Sequence, residues 1–176
     1  MTAVPDLEDN PPPPRPWYRH VAEWTGYLVA AAVLMQIVGA FRAPSLPDQA
    51  PDFTLASLDG EPVALSALHG RTVVLNFWAT WCGPCRLEAP QFSSFAEANR
   101  DITVLGIAAD GPASKLRRAR EDLGITYPIL LGDPQVLSAY GITTYPTTVV
   151  VGPDGDVRAA HTGLLLRPQL SVLTLF

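Results

Sequence analysis

The chain has 176 residues, 48% of them hydrophobic, with 12 basic and 17 acidic side chains and a formal net charge of −5. That length suits one domain of ordinary size plus an extension, long enough to bury a true core. The acidic balance, with no run of basic residues, leaves no electrostatic footprint for nucleic acid, and a total of two cysteines excludes a disulfide-rich secreted scaffold.

In chain order, residues 1–23 are rich in proline and acid and poor in apolar side chains, which predicts disorder. Residues 24–41, WTGYLVAAAVLMQIVGAF, carry no charge. As a helix they span about 27 Å at about 1.5 Å per residue, close to a hydrocarbon core of about 30 Å. Trp17, Tyr18, Trp24 and Tyr27 cluster near one end and Phe41 stands at the other, where interfacial aromatics belong. Two other readings compete with a membrane span. A buried helix of a soluble domain would need a surface to pack on. A signal peptide cleaved after Ala40 would have an unusually long polar leader. The expectation is an uncleaved signal anchor. Arg15 and Arg19 before the helix, against Arg42 after it, put the N-terminus inside and the main domain outside. Residues 42–50 read as a linker and 51–176 as the main domain.

Within that domain, Asp59-Gly60 between two short apolar runs predicts a hairpin. Ser66 is placed to cap one helical turn ending at Gly70. Residues 72–78, TVVLNFW, form a continuous apolar run that predicts a central strand buried on both faces. Residues 84–98 predict a helix with Pro90 as a kink, 102–108 a strand, and 113–123 a helix with a largely solvated charged surface. Residues 128–131 predict a short strand and 134–140 a short helix. Residues 147–151 and 157–162 are paired strands around a turn at 153–156, and 167–176 a closing helix. Strands alternating with helices and ending in a hairpin imply an α/β domain with a mixed sheet.

The two cysteines, Cys82 and Cys85, follow the central strand. Three residues apart, they close too short a loop to staple a fold. Zinc wants four ligands, and His20, His69 and His161 stand alone. Two soft thiolates hold Cu(I), so a copper metallochaperone stays open. For redox chemistry the placement is apt: the positive end of a helix stabilises a thiolate on Cys82, the expected nucleophile, and Cys85 one turn inside resolves the mixed disulfide. Gly83 permits close approach of a partner backbone, and Pro84 suits a first turn where no N–H is needed.

Trp81-Cys82-Gly83-Pro84-Cys85 matches the active-site motif of thioredoxins, and residues 50–163 resemble the TlpA/ResA-like family, membrane-anchored thioredoxin-like proteins of the bacterial cell envelope. The resemblance rests on Ala50-Pro51-Asp52-Phe53, Leu58-Asp59-Gly60, the run from Asn76 to Cys82, Glu88 with Pro90, and Tyr145-Pro146-Thr147-Thr148. It implies a thioredoxin-like fold with a mixed central sheet and an N-terminal β-hairpin. It also implies no cofactor, and exchange of electrons with the disulfides or thiols of client proteins. Re-reduction would come from a transmembrane electron donor, and apocytochrome c maturation is one client pathway. The implied location is the inner membrane, single-pass, with the N-terminus cytoplasmic and the domain periplasmic or otherwise extracytoplasmic. The Gly-Pro dipeptide resembles low-potential thioredoxins and favours a reductant; an envelope thiol oxidant is the alternative.

Three further positions carry the resemblance into mechanism. Where thioredoxins have a buried aspartate, this chain has Asn76, which cannot titrate. The resemblance places Glu88 near the pair, where a partly buried carboxylate exchanges protons with Cys85; the plain alternative is an exposed glutamate on the first turns of a helix. It makes Pro146 a cis-proline facing the cysteines, with the Tyr145 backbone pairing with an extended client; the alternative is a trans proline opening a strand. Trp81 is expected to shield Cys82 and touch partners. Pro51-Asp52-Phe53 is also similar to peroxiredoxins. Their active cysteine follows a threonine by three positions, whereas here Ala79 stands in that place and Thr80 comes one too late.

Overall fold

The computed structural model describes residues 17–41 and 46–175. The chain divides into two compact units, residues 1–37 and 38–176. The first contains most of helix α1 (Trp17–Phe41), on which Trp24, Tyr27, Leu28, Val33, Leu34 and Met35 are exposed. Among the described residues no helix is long and apolar enough to cross a membrane. Helix α1 starts at Trp17, so the segment expected to be disordered, 1–23, overlaps it by seven residues. The reason lies in averaging: the prolines that give that segment its composition all precede Trp17, and WYRHVAE contains no helix breaker. Residues 1–16, and 42–45 of the expected linker, lie outside the described residues.

The second unit is built on a five-stranded sheet in the order β5 (Ile129–Leu131), β4 (Thr103–Ala108), β3 (Val73–Trp78), β6 (Thr147–Val151), β7 (Val157–Thr162). Strands β3, β4 and β5 run parallel, β6 runs antiparallel to β3, and β7 antiparallel to β6. All six residues of β3 are buried, because helices and loops cover both faces of the sheet; hence the unbroken apolar run. Val74 and Trp78 belong to the core under α2 (Gly83–Ala98), α3 (Ala113–Leu123) and α5 (Arg167–Leu173). Val73, Leu75 and Phe77 belong to the core on the other face, with Tyr140 at the end of α4 (Pro134–Ala139) and Leu55 of the hairpin β1 (Thr54–Ala56) and β2 (Pro62–Ala64). The strand period of two therefore turns Asn76 toward α2, a lone polar side chain between Val74 and Trp78. This is the thioredoxin-like α/β architecture with a mixed sheet and a leading hairpin.

Local details depart from expectation in physically simple ways. The turn at Ser66–Leu68 is a 3₁₀ turn with Leu65 in the capping position and no side-chain cap. Instead the Asp52 carboxylate accepts from the Ser66 N–H at 3.0 Å and from the Phe53 N–H at 2.9 Å. An acid fourteen residues away does the work expected of the local serine. Helix α3 ends on Gly124 at φ 61°, a left-handed position in which its N–H reaches back to the last carbonyls. Helix α5 stops at Leu173; Leu170 is fully buried, while Val172 and Leu175 are exposed.

The second half of the expected linker is docked. Gln49 bridges Asp156, the Ala50 N–H donates to Gly155 O at 2.9 Å, and the Val157 N–H donates to Asp48 O at 2.8 Å. The chain thus joins the domain at the β6–β7 turn. The pairing of Val73 with Val151, and of Phe77 with Thr147, puts that turn at the end of the sheet opposite to where β3 runs out toward Cys82.

Candidate active site

Strand β3 delivers the chain to a short turn at 79–82 in which the Cys82 N–H donates to Ala79 O at 3.1 Å. Cys82 is the capping residue of α2, and its Sγ accepts from the Cys85 N–H at 3.2 Å. One of the orphan donors of the helix start is thereby directed at the sulfur, and Pro84 removes another that would have needed a partner. The same geometry favours negative charge on Sγ. Cys82 and Cys85 are joined in a disulfide with their Cα atoms 5.3 Å apart. In this oxidised form Cys82 is 4% exposed and Cys85 2%, so both are largely shielded, Cys85 more so.

One turn further along α2, Glu88 is 1% exposed. That burial disposes of the alternative of a solvated glutamate. Its Oε1 accepts from Asn76 Nδ2 at 2.6 Å and its Oε2 from the Leu165 N–H at 3.1 Å. Burial pushes its pKa from 4.5 up to about 7, more than these two hydrogen bonds hold it down. Register places Asn76 opposite Gly106 on β4 and Thr148 on β6, so the three form a row across the sheet beneath the helix. A Cβ on Gly106 would lie 2.8 Å from the Tyr127 ring and 3.2 Å from Trp78 Nε1. Glycine there lets the Tyr127 ring cross the sheet. Burial, and then the Glu88 charge, drive the Tyr127 phenol far above its ordinary pKa. Trp78 Nε1 and Thr148 Oγ1 are buried without a hydrogen-bond partner among the described residues. The floor of the site is thus a polar pocket inside an apolar core, centred on one carboxyl.

The rim is aromatic. Trp81 is 69% exposed, and its ring meets that of Tyr145 edge-on, with centroids 5.9 Å apart. Gly83 and Pro84 are exposed beside it. The Tyr145–Pro146 peptide bond is cis, as the resemblance implied, and Pro146 is buried while Tyr145 is half-buried. The Pro146 carbonyl is taken by the Gly163 N–H at 2.8 Å, whereas the Tyr145 N–H and carbonyl make no backbone hydrogen bond among the described residues. Burial, then the charge of Asp110, raise the pKa of the Tyr145 phenol.

A model described as the AhpC/TSA family matches residues 46–160. The chain belongs to the AhpC/TSA family. The thiol-disulfide oxidoreductase ResA of Bacillus subtilis is 35% identical over 126 residues, 69% of this chain and 69% of its own. A thiol:disulfide interchange protein of the thioredoxin family from Chlorobium tepidum superposes with a TM-score of 0.65 at 30% identity, over 73% of this chain and 94% of that one. A secreted Mycobacterium tuberculosis disulfide oxidoreductase, described as homologous to Escherichia coli DsbE, superposes with a TM-score of 0.63 at 28% identity, over 69% of this chain and 92% of that one. Within the AhpC/TSA family the chain is accordingly a thiol-disulfide oxidoreductase of the ResA-like kind, and its Cys-x-x-Cys pair is formed as such a protein requires.

One residue that holds this AhpC/TSA site together escaped the sequence reading. Asp110, just beyond β4, accepts from the Thr80 N–H through Oδ1 at 2.7 Å, and from Thr80 Oγ1 and Lys115 Nζ through Oδ2, each at 2.7 Å. Burial raises its pKa, but the bonds from Lys115 and Thr80 outweigh that and hold it below the usual carboxylate value. Asp110 therefore pins the turn that carries Trp81 and Cys82. It also engages the one hydroxyl near the cysteines that resembled the peroxiredoxin threonine. The signal that would have found it is positional: polar residues at the C-terminal ends of parallel strands collect at one edge of an α/β sheet, where such sites form.

Proposed function

We propose that this protein reduces disulfides of client proteins outside the bacterial cytoplasm, with Cys82 as nucleophile, Cys85 as resolving thiol and Glu88 as proton carrier. The observation that carries the reading is Sγ of Cys82 accepting from the Cys85 N–H at the start of α2, with a buried, raised-pKa carboxyl one turn behind Cys85. The Cys82 thiolate attacks one sulfur of the client disulfide; that S–S bond breaks, a client thiolate leaves, and a mixed disulfide remains. Cys85 gives its proton to the Glu88 carboxylate and attacks Sγ of Cys82. The second client sulfur leaves and takes the proton. The client gains two electrons and the pair becomes the disulfide described above. A carboxyl near pKa 7 exists in both forms at neutral pH, so it accepts and returns a proton without a large energy gap.

Trp81, Gly83, Pro84, Tyr145 and Pro146 serve as the client-binding rim in this reading. The unused backbone groups of Tyr145 support it, since an extended client segment pairs with such groups in the manner of an added strand. The two electrons return from a membrane-spanning thiol donor. Residues 24–41 act as the anchor, supported by eighteen residues without a charge and by the exposed apolar side chains of α1. Alkaline carbonate extraction tests the anchor: the chain stays with the membranes, and its release into the supernatant removes that part of the proposal. Direction is tested by equilibrating the full chain in detergent with thiol redox buffers and trapping free thiols. A potential of about −250 mV or lower fits the reductant, and one near about −120 mV makes the protein an oxidant.

A further inference from the structure

Beside the disulfide, between the turn that carries Trp81 and one face of α3, lies an open groove of about 400 Å³. Its helical wall is made by Lys115, Arg118 and Asp122 with Ala119 at its base, a spacing that keeps them on one face of α3. Arg86, one residue after Cys85, and Trp81, one residue before Cys82, also line it. In a chain of net charge −5, this groove collects three cations against one carboxylate. Lys115 is neutralised by Asp110 at 2.7 Å. Arg86 and Arg118 are exposed, and among the described residues neither guanidinium has an ion pair or a hydrogen bond. Solvated arginines on a helix face are ordinary. These two differ in lining a concavity shared with the exposed indole of Trp81, the residue just before Cys82.

We propose that this groove receives an acidic, extended segment of the client chain adjoining the client's reactive cysteine, and so sets which disulfides are reduced. The inference rests on the reductase reading above and deepens it. Arginine is suited to the task because its planar fork takes a carboxylate through two parallel hydrogen bonds. Trp81 adds apolar contact at the point where the client backbone turns toward Cys82. The groove also has polarity. From Lys115 to Asp122 is seven helical residues, about 10 Å at about 1.5 Å per residue, or about three residues of extended chain. Acidic side chains are therefore accepted within the first few positions from the client cysteine, and Asp122 disfavours them further out. The groove performs no chemistry; it raises the local concentration of matching clients.

The test uses the full chain, reduced, in detergent. Its substrates are two short peptides, each carrying one cysteine as a mixed disulfide with 2-mercaptoethanol, identical except for two glutamates or two lysines flanking the cysteine. Hydroxyethyl disulfide, small and neutral, is the control. The glutamate peptide is reduced about tenfold faster than the lysine peptide at low salt, and the advantage shrinks severalfold in about 0.5 M salt, where the Debye length falls to a few ångströms. Arg118→Glu abolishes or inverts the preference while leaving the hydroxyethyl disulfide rate within about twofold. Equal rates for the two peptides with the unaltered chain overturn the proposal, and so does a preference that survives Arg118→Glu. The salt series on the unaltered chain decides the matter even where the variant folds poorly. Failure of the unaltered protein to reduce hydroxyethyl disulfide overturns the reductase reading itself and takes the groove's role with it.

Discussion

Replacing the buried carboxyl by an amide of the same shape, Glu88→Gln, tests the centre of the site. Burial has moved this carboxyl from 4.5 to about 7, and at about 1.4 kcal/mol per pH unit the shift is worth about 3 kcal/mol of folding stability. The sign follows from which state holds the proton. Between these two pH values the folded protein keeps it and the unfolded chain has lost it, so stability falls as pH rises and levels off above about pH 7. His161, whose pKa is lowered by burial, acts in the opposite sense in part of the same range. The useful quantity is therefore the difference between the unaltered protein and Glu88→Gln, in which His161 cancels. Denaturant unfolding of both oxidised proteins from about pH 4 to about pH 8 gives it. The unaltered protein loses about 3 kcal/mol relative to the variant across that range. A difference that stays flat within about 1 kcal/mol would mean that Glu88 does not hold a proton at neutral pH, and the proton-carrier role falls with it.

Four other outcomes are expected. Asn76→Asp puts a second acid 2.6 Å from Glu88 Oε1, and the two then titrate as a coupled pair with one proton held to higher pH; the pH profile of disulfide reduction moves alkaline, and an unmoved profile refutes the coupling. Cys85→Ser halts the reaction after the first exchange, so a client disulfide accumulates as a covalent adduct on Cys82 that intact mass spectrometry detects. Asp110→Ala removes three hydrogen bonds of 2.7 Å and costs about 2 kcal/mol in denaturant unfolding, with Asp110→Asn recovering part of it. Gly106→Ala drives a methyl group to 2.8 Å from the Tyr127 ring and costs about 1–3 kcal/mol by the same assay, since the ring is buried and has nowhere to yield.

The parts of the molecule that were legible in the sequence are those set by local pattern. The apolar run at 72–78, Asp59-Gly60 in the hairpin and the helix over 113–123 each follow from local composition or a turn dipeptide, and the strands and helices of the second unit fall within a few residues of expectation. Cys82 and Cys85 announce themselves by spacing. What stayed hidden depends on partners distant in sequence. Glu88 was singled out, yet its second hydrogen bond comes from the backbone of Leu165, a group that no side chain advertises. Asp110 reaches Thr80 across thirty residues, and Asp52 supplants Ser66 across fourteen. Helix α3 reads as plainly solvated, because one helix alone says nothing of the indole of Trp81, from the turn after β3, that lines the same groove. The ion pair between Arg120 and Asp59 joins that helix to the hairpin turn across sixty-one residues, at 2.8 Å, with the same silence in the sequence.

The docking of residues 48–50 onto the β6–β7 turn has a mechanical consequence. Strand β3 is six residues long, about 20 Å, and the chain arrives at one end of it while the sulfurs lie beyond the other. The point where the chain enters the sheet and the reactive sulfurs thus sit at opposite poles, and the pole that carries Cys82 is left clear of residues 48–50.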